Sequence, residues 1–448
     1  LNQAYLEARR AGKGATPMLT LELRGFRDYD LGTRRWGPRS LALPDGGAIG
    51  LVPTGGFGNI RYGPGIKENS LRAVTTSVRV ADADRSLVKA LESYDPRGSA
   101  ARIHWVVPEL VAADWELLFK GVLYDWKVAG SFVDLLLRTD DSVLATGCPR
   151  PTFNKSEWST ASDGSIFNTA MPLLMGYFSN FAITARGMVP AINIRYDDLL
   201  GFWWIASLGN VQVDRLYIDA KEIGGWSVRR GVYGGAAMTI IVVDPASKPD
   251  QNAVLTFDGN GPDANGLLTG PVMSNPLRQL RTFLEQYVYR NAPASPWDTT
   301  PLDIIDAASW DAVEAYMDLY GYESSVRIGG DRDKPTAMEV VQSFLDSYSW
   351  MRLAWLPNGS MAAGIVDHRD ADPSGDWLRA DVTTAPAEFL YEPGDRREVF
   401  SHVQQPYMWS PAEQKFMAAI EAHDIASARE PVWATVSNRW SQGRFTQS

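Results

Sequence analysis

Four histidines, one cysteine and a scatter of carboxylates are the groups in this 448-residue sequence that could do acid, base or metal chemistry. His104, His368, His402 and His423 are far apart and show no metal-ligand spacing, and there is no H-E-x-x-H pair. Asp367 and His368 are adjacent, which does not place them on one side of a strand. No G-x-S-x-G elbow and no Walker loop occurs. The run Asp258-Gly-Asn260-Gly-Pro-Asp263-Ala-Asn265-Gly266 repeats Asp and Asn oxygens as calcium loops do, but it lacks the downstream bidentate Glu, so an Asx-rich turn is the reading. Asp331 and Asp333 sit in a turn bounded by Gly and Pro and read as solvated. The glycine-dense stretch Gly46 to Gly65, with Gly55, Gly56 and Gly58, has neither G-x-G-x-x-G spacing nor a following Lys-Ser/Thr. It predicts a loop packed at a sheet edge rather than a phosphate cradle. No catalytic, cofactor-binding or metal-binding residue is nominated, and no cofactor is expected. A glycosidase-type dyad of distant carboxylates is the catalytic option that sequence leaves open.

Aromatic side chains are the more informative chemistry, because 16 Trp accompany 39 Gly, a pairing that suggests β-rich, turn-rich structure with large aromatic surfaces. Phe202–Trp203–Trp204 has the makings of a sugar-stacking platform. The plainer reading puts one ring in the core and one at a subunit contact. Trp126, Trp203, Trp204 and Trp226 are the candidate interface residues.

Strands must position these rings. From Ala73 to Arg138 the runs TTSVRVADAD, ARIHWVVP, WELLFKGVLYDWKV and GSFVDLLLR are rich in Val, Ile, Leu and aromatics and are cut by Asp, Pro or Gly. Val78 and Val80 alternate with Arg79, and Ile103 and Trp105 with His104, the period of a half-buried strand. Leu117–Trp126 and Phe132–Leu137 predict a hairpin with a longer loop over Lys127–Ser131, closing a small antiparallel sheet or barrel. A helix over Asp84–Glu92, carrying Leu87, Ala90 and Leu91, is expected to cover one mouth. Residues 188–244 resume the strand pattern. The chain then turns helical: Asn275-Pro276 opens a helix with Leu277, Leu280, Leu284, Tyr287 and Val288 as its stripe, and Trp310 to Tyr320 predicts a second. Thr336-Ala-Met-Glu339 is a capping box before a third, and Asn358-Gly359 turns the hairpin that follows. Ser410-Pro411 predicts a short helix in the tail.

Composition sets the frame. The length suggests about three domains, and 45% hydrophobic with 21% charged residues describes an ordinary globular chain. No apolar run is long enough to span a membrane, and one cysteine, Cys148, fits a cytoplasmic folding site. The net charge of −10 opposes a grip on nucleic acid. The fold class is therefore β-rich α+β: two small antiparallel β-barrel-like domains with a mixed α/β insert. The boundaries are 1–148 for the first β domain, 149–250 for a linker and second strand-rich domain, 251–376 for the helical insert with its hairpin, and 377–448 for a strand/helix segment that can continue the second domain.

The order of these passages resembles the tail-tip or baseplate hub proteins of long-tailed (siphovirus-like) phages, including the lambda-type tip attachment class and relatives in gene transfer agents. MLTLELR…RRWGP is similar to the opening strand pair of that family. TTSVRVADAD, RGSAARIHW, LLFKGVLYDW, GCPRPTFNKSEW…MPLLMGYF, VPAINIRYDDLL and VDRLYIDAKEIGGW follow in the expected order. NPLRQLRTFLEQYV and SFLDSYSWMRLAWLPNGSMAAGIVD are similar to its helical insert and hairpin. Met175-Gly-Tyr departs from the family's usual Tyr-Gly, and Gly55–Gly65 has no counterpart in it.

The resemblance implies a structural virion protein and not an enzyme: a homotrimeric ring with paired barrels per subunit, at the distal end of the tail. Its implied partners are the distal tail or tail-tube ring protein, the tape measure protein and downstream tail fibre or receptor-binding proteins. DNA is met only in passage, and no stable membrane insertion is expected. Two rivals are a carbohydrate-binding tail adhesin using Trp203, Trp204 and Trp226, and a cell-wall glycoside hydrolase. Two further expectations concern the whole particle. The polypeptide is expected to continue beyond residue 448, and a lumen is expected to be acidic, since residues 251–330 hold ten acids against four bases.

Overall fold

The computed structural model describes residues 3–25, 29–38, 50–60, 71–145, 147–148, 153, 158, 166, 169–178, 187, 189–197, 201–233, 235–250, 253–289, 304–330, 335–348 and 350–365, and the backbone of four strands within 402–447. The chain is a β-rich α+β protein with few helices. It divides into two compact units, Leu1–Thr146 with Tyr289–Ala312 and Met351–Gly364, and Gly147–Val288 with Val313–Trp350 and Ile365–Ser448.

In the first unit, helix α1 (Gln3–Arg10) precedes β1 (Thr16–Gly25), β2 (Tyr29–Gly37), β3 (Gly50–Leu51) and β4 (Thr75–Ala81). Helix α2 (Ser86–Tyr94), β5 (Ala100–Val106), β6 (Glu116–Ala129) and β7 (Phe132–Arg138) follow. The strands form one sheet in the order β3-β2-β1-β5-β6-β7-β4. Alternation gives it an inner face: Val78 and Val80 are buried on β4 and Val133, Leu135 and Leu137 on β7, while Arg79 points out and pairs with Asp134.

The sheet is a curled half-barrel, and its bends have identifiable causes. Register shifts fall at Leu23/Arg24, Ile103/His104 and Leu123/Asp125, and bulges of this kind bend a strand and tighten its twist. Strand β6 serves β5 with its first half and β7 with its second. Gly121 lies at the changeover, where an added Cβ would stand 2.2 Å from the Arg138 carbonyl oxygen.

The glycine-rich stretch has the expected edge role, in its described part. After β3 pairs with β2, the Val52 N–H donates to Gly37 O at 2.8 Å, and further on Gly58 N–H reaches Ser77 O at 2.7 Å. Arg79 N–H donates to Gly56 O at 2.7 Å, so one short segment bonds to β2 near one end of the strand order and to β4 at the other. At Gly58 a Cβ would lie 2.8 Å from Ser77 Oγ, so glycine is what lets this seam close.

The β6–β7 hairpin is tighter than expected. Lys127 pairs with Asp134 and Ala129 with Phe132, leaving only Gly130-Ser131 as the turn. Gly130 has φ +66° at the first central position, which suits the twist of the flanking strands. Helix α2 buries Leu87, Val88 and Leu91, and its first turn is anchored by the Asp82 carboxylate, which accepts from Leu87 N–H at 3.0 Å and Val88 N–H at 2.9 Å.

The second unit opens with β8 (Leu173–Met175), β9 (Val189–Pro190), β10 (Ile192–Asp197), β11 (Gly201–Leu208) and β12 (Gln212–Ile218). It continues with β13 (Lys221–Ile223), β14 (Trp226–Tyr233), β15 (Ala236–Val243), β16 (Leu255–Asn260) and β17 (Ser324–Ile328). One sheet runs β14-β15-β11-β8-β17, with β10 also on β11, and another runs β13-β12-β16-β9. Phe202, Trp204, Ala206, Ile241 and Val243 of the first meet Val189, Leu216, Leu255 and Phe257 of the second in one buried cluster. Two inner faces thus share a core.

Helix α3 (Pro276–Thr282) is capped as expected, with the Asn275 side chain accepting from Leu277 and Arg278 N–H. Beyond it, Phe283–Tyr289 widens into a π-helix, which buries Phe283, Leu284 and Val288 together. Helix α4 (Ala307–Leu319) starts three residues before the predicted Trp310. It stops at Gly321, where φ is +67° and Tyr322 N–H reaches back to Met317 O at 2.9 Å. Trp310, Val313 and Met317 are buried on one face of α4, whereas Tyr320 is 49% exposed. Helix α5 (Ala337–Ser347) begins with the predicted capping box between Thr336 and Glu339.

In the first unit, β18 (Met351–Trp355) and β19 (Met361–Ile365) form the predicted hairpin. Its turn is a type I turn with Pro357 second and Gly359, φ +81°, as the left-handed residue: Leu356 N–H bonds Ser360 O, and Gly359 N–H bonds Leu356 O. The tail brings a correction. Instead of a helix opened by Ser410-Pro411, β20 (His402–Ser410) pairs antiparallel with β21 (Lys415–His423), while 411–414 lie outside the described residues. Phe416, Ala418, Ile420 and Ala422 alternate at period 2 with the intervening residues, and Ser-Pro initiates a turn as readily as a helix. Strand β22 (Trp433–Thr435) adds to β20, and β23 (Phe445–Gln447) to β17. Among the described residues no helix is long and apolar enough to cross a membrane.

Candidate functional site

Strand β11 separates the two tryptophans by pleat alone. Phe202 and Trp204 enter the core, where Trp204 is 3% exposed, and Trp203 lies on the opposite face. There Arg195, its register partner on β10, places a guanidinium 4.5 Å from the centre of the indole ring. Arg229 of β14 brings a second guanidinium to 5.1 Å. Tyr233 closes the group edge-on at 6.5 Å, its ring folded over Gly231, where a Cβ would meet it at 3.4 Å. Two cations on one indole are held by its quadrupole, and their N–H edges remain directed for hydrogen bonding. Among the described residues neither Arg195 nor Arg229 forms an ion pair, whereas Arg79, Arg97, Arg102, Arg138, Arg278 and Arg281 all do.

Trp226 is on the core side of β14, half-buried against the same cluster as Trp204, and its indole N–H donates to Ile223 O at 3.1 Å. Trp126, in the first unit, is half-buried near the end of the β6–β7 hairpin with Arg97 5.8 Å from its ring. The structure therefore places Trp203 and Trp204 on opposite faces of one sheet, with Trp226 on the face of Trp204.

A second aromatic group escaped the sequence reading. Tyr316, Tyr320, Tyr322, Tyr348 and Trp350 assemble at the end of α4, with Tyr316–Tyr320 ring centres 4.6 Å apart and Tyr322–Trp350 4.9 Å apart. Leu319, 77% exposed, stands beside them. The signal was in the sequence: Tyr316 and Tyr320 lie four apart, and Tyr348-x-Trp350 follows a predicted helix.

The polar groups that invited chemical readings have structural employment. Asp258 belongs to β16 and accepts from Tyr217 Oη at 2.8 Å and Gly187 N–H at 2.9 Å. Asp263 accepts from the backbone N–H groups of Asn265, Leu267 and Gly270 at 2.8–3.0 Å, which makes its loop the predicted Asx turn. His104 faces the edge of Trp115, and burial with Arg102 nearby lowers its pKa to about 4. Arg327 is buried at 3% exposure, its pKa lowered to about 10 by desolvation, and it donates to Gly330 O at 3.3 Å. Cys148 is buried and reduced. Among the described residues no group of three or more His, Cys, Asp or Glu could hold a metal ion. Asp331, Asp333, Asp367 and His368 lie outside the described residues, and of His402 and His423 only the backbone pairing, one opposite the other, is described.

No family model matches the chain. No curated protein matches it. Among solved structures, a chain described as part of the virion of a native gene transfer agent particle is similar at a TM-score of 0.25 and 11% identity, covering 59% of this chain and 86% of that chain. A likeness of that size does not transfer a fold or a role.

Proposed function

We propose that this chain is a structural protein of a phage-like particle, a hub ring at the distal end of the tail that joins the tube to the host-recognition apparatus and lets DNA pass. The observation that carries this reading is the division of labour among side chains. Asp258, Asp263 and Asp82 are engaged in holding backbone and side chains, while the surfaces carry Trp203, Tyr320, Arg195 and Arg229. Trp, Tyr and Arg are the residues that dominate protein–protein contacts. The order of sequence passages similar to tail hubs supports the same reading, as does the curled seven-stranded sheet. In this account the ring is a homotrimer with two barrel-like units per subunit, meeting the distal tail or tube ring protein and the tape measure protein on one side and fibre or receptor-binding proteins on the other. An acidic overall charge of −10 favours sliding over gripping of DNA.

The test is placement in the particle. Antibodies raised against the chain should label a single tail end in electron micrographs of virions. Label along the tube, on the capsid or nowhere would overturn the reading. A second reading, a carbohydrate-binding adhesin, draws on the Tyr316–Tyr322–Trp350 group rather than on Trp204 or Trp226, which are built into a core cluster. A glycan array separates the two, since a hub should be silent on it.

A further inference from the structure

We propose that the Arg195–Trp203–Arg229 stack is the docking point for a second copy of this chain, received through carboxylate side chains on that copy's acidic surface. This assigns a contact to the ring proposed above and rests on that reading. The stack is pre-formed: guanidinium faces at 4.5 and 5.1 Å from one indole, with Tyr233 edge-on at 6.5 Å, fix two donor forks side by side on an outer sheet face. Ordering those long side chains in advance lowers the conformational cost of receiving an acceptor. A lone surface arginine offers no such geometry. Both forks also lack an ion-pair partner among the described residues, in a chain that pairs Arg79, Arg102 and Arg278 with carboxylates.

The surroundings extend the contact. Arg229 lies on β14, which pairs with β15 and with no other described strand, and Ser227, two residues earlier on the same face of that strand, is exposed. An outer strand of this kind presents backbone donors and acceptors beside the arginines. Charge complementarity selects the occupant. With a net charge of −10 and exposed acids such as Glu92 and Glu323, another copy of the chain offers carboxylates in excess. The same excess opposes a polyphosphate backbone, which would be repelled over the rest of the surface. Because basic stack and acidic surface are different patches, the contact is head-to-tail, the type that generates closed rings.

The experiment is sedimentation velocity of the full 448-residue chain over a concentration series, for the native protein and for R195E/R229E, with R195Q/R229Q as a milder pair should the charge reversal unfold. In parallel, Ser227→p-benzoylphenylalanine, on the same face of β14 as Arg229, is photo-crosslinked and the adduct mapped by mass spectrometry. The expected result is self-association of the native chain, a midpoint concentration raised about 100-fold by the reversal, and adducts joining residue 227 to an acid-bearing peptide of the same chain. Native chain and variants assembling alike, or adducts that never join two copies, would overturn this inference while leaving the ring intact. A native chain that stays monomeric at every concentration would remove the ring reading and this inference with it.

Discussion

Trp203 and Trp204 are neighbours with opposite roles, and single substitutions should separate them. Trp204→Ala opens a cavity in the shared core of the second unit and should cost about 3–5 kcal/mol in a urea unfolding experiment. Trp203→Ala removes an outer-face ring and its two cation–π contacts and should cost about 1 kcal/mol or less. Equal losses would contradict the pleat assignment. His104 supplies a pH prediction. Its Nδ1 is buried without a hydrogen bond, and its pKa is lowered from 6.5 to about 4. The folded chain keeps the ring neutral where the unfolded chain takes up a proton, so this contribution is complete above pH 6.5 and is lost as the pH falls toward 4. The stability difference between native protein and H104Q should shrink over that interval, on the order of 2 kcal/mol after allowing for the ring's partial exposure. A difference that stays flat from pH 7 to 4 would exclude it. At this scale the sequence was legible where a pleat decides: Trp203 and Trp204 had to separate once β11 was a strand. It was silent on Arg195 and Arg229, because their meeting over one ring depends on β10 and β14 both lying near β11, which is a matter of sheet order.

Among the elements, those defined by local rules were readable in advance. Thr336 with Glu339, Asn275 with Pro276, and Gly359 each act within a few residues, and the structure uses all three. The π-helix over Phe283–Tyr289 was not readable, since the widening places Phe283, Leu284 and Val288 inside at once and so answers to tertiary packing. The same holds for β21, where Ser410-Pro411 gave a local signal and pairing with β20 decided the outcome. Leu284 tests the helical element. It is fully buried, so Leu284→Asp places an unpaired charge in the core and should cost several kcal/mol, about 3–5. Denaturant unfolding of L284D should show a much lower midpoint, and proteolysis should cut within 276–289. A variant as stable as the native chain would mean that this segment is not held as described.

For the whole molecule, the ring proposed above requires that this chain of two compact β-rich units assemble with copies of itself. Stable rings bury about 2,000 Å² or more at apolar centres with aromatic and arginine anchors, and Trp203 with its two guanidiniums is a surface of that composition. Native mass spectrometry of the purified chain, at concentrations spanning nanomolar to tens of micromolar, reads assembly without a partner or an activity. A homotrimer would give a species of three times the 49.4 kDa chain mass, growing with concentration at the expense of the single chain. A single-chain mass over the whole range, or a stable species of six copies, would contradict it.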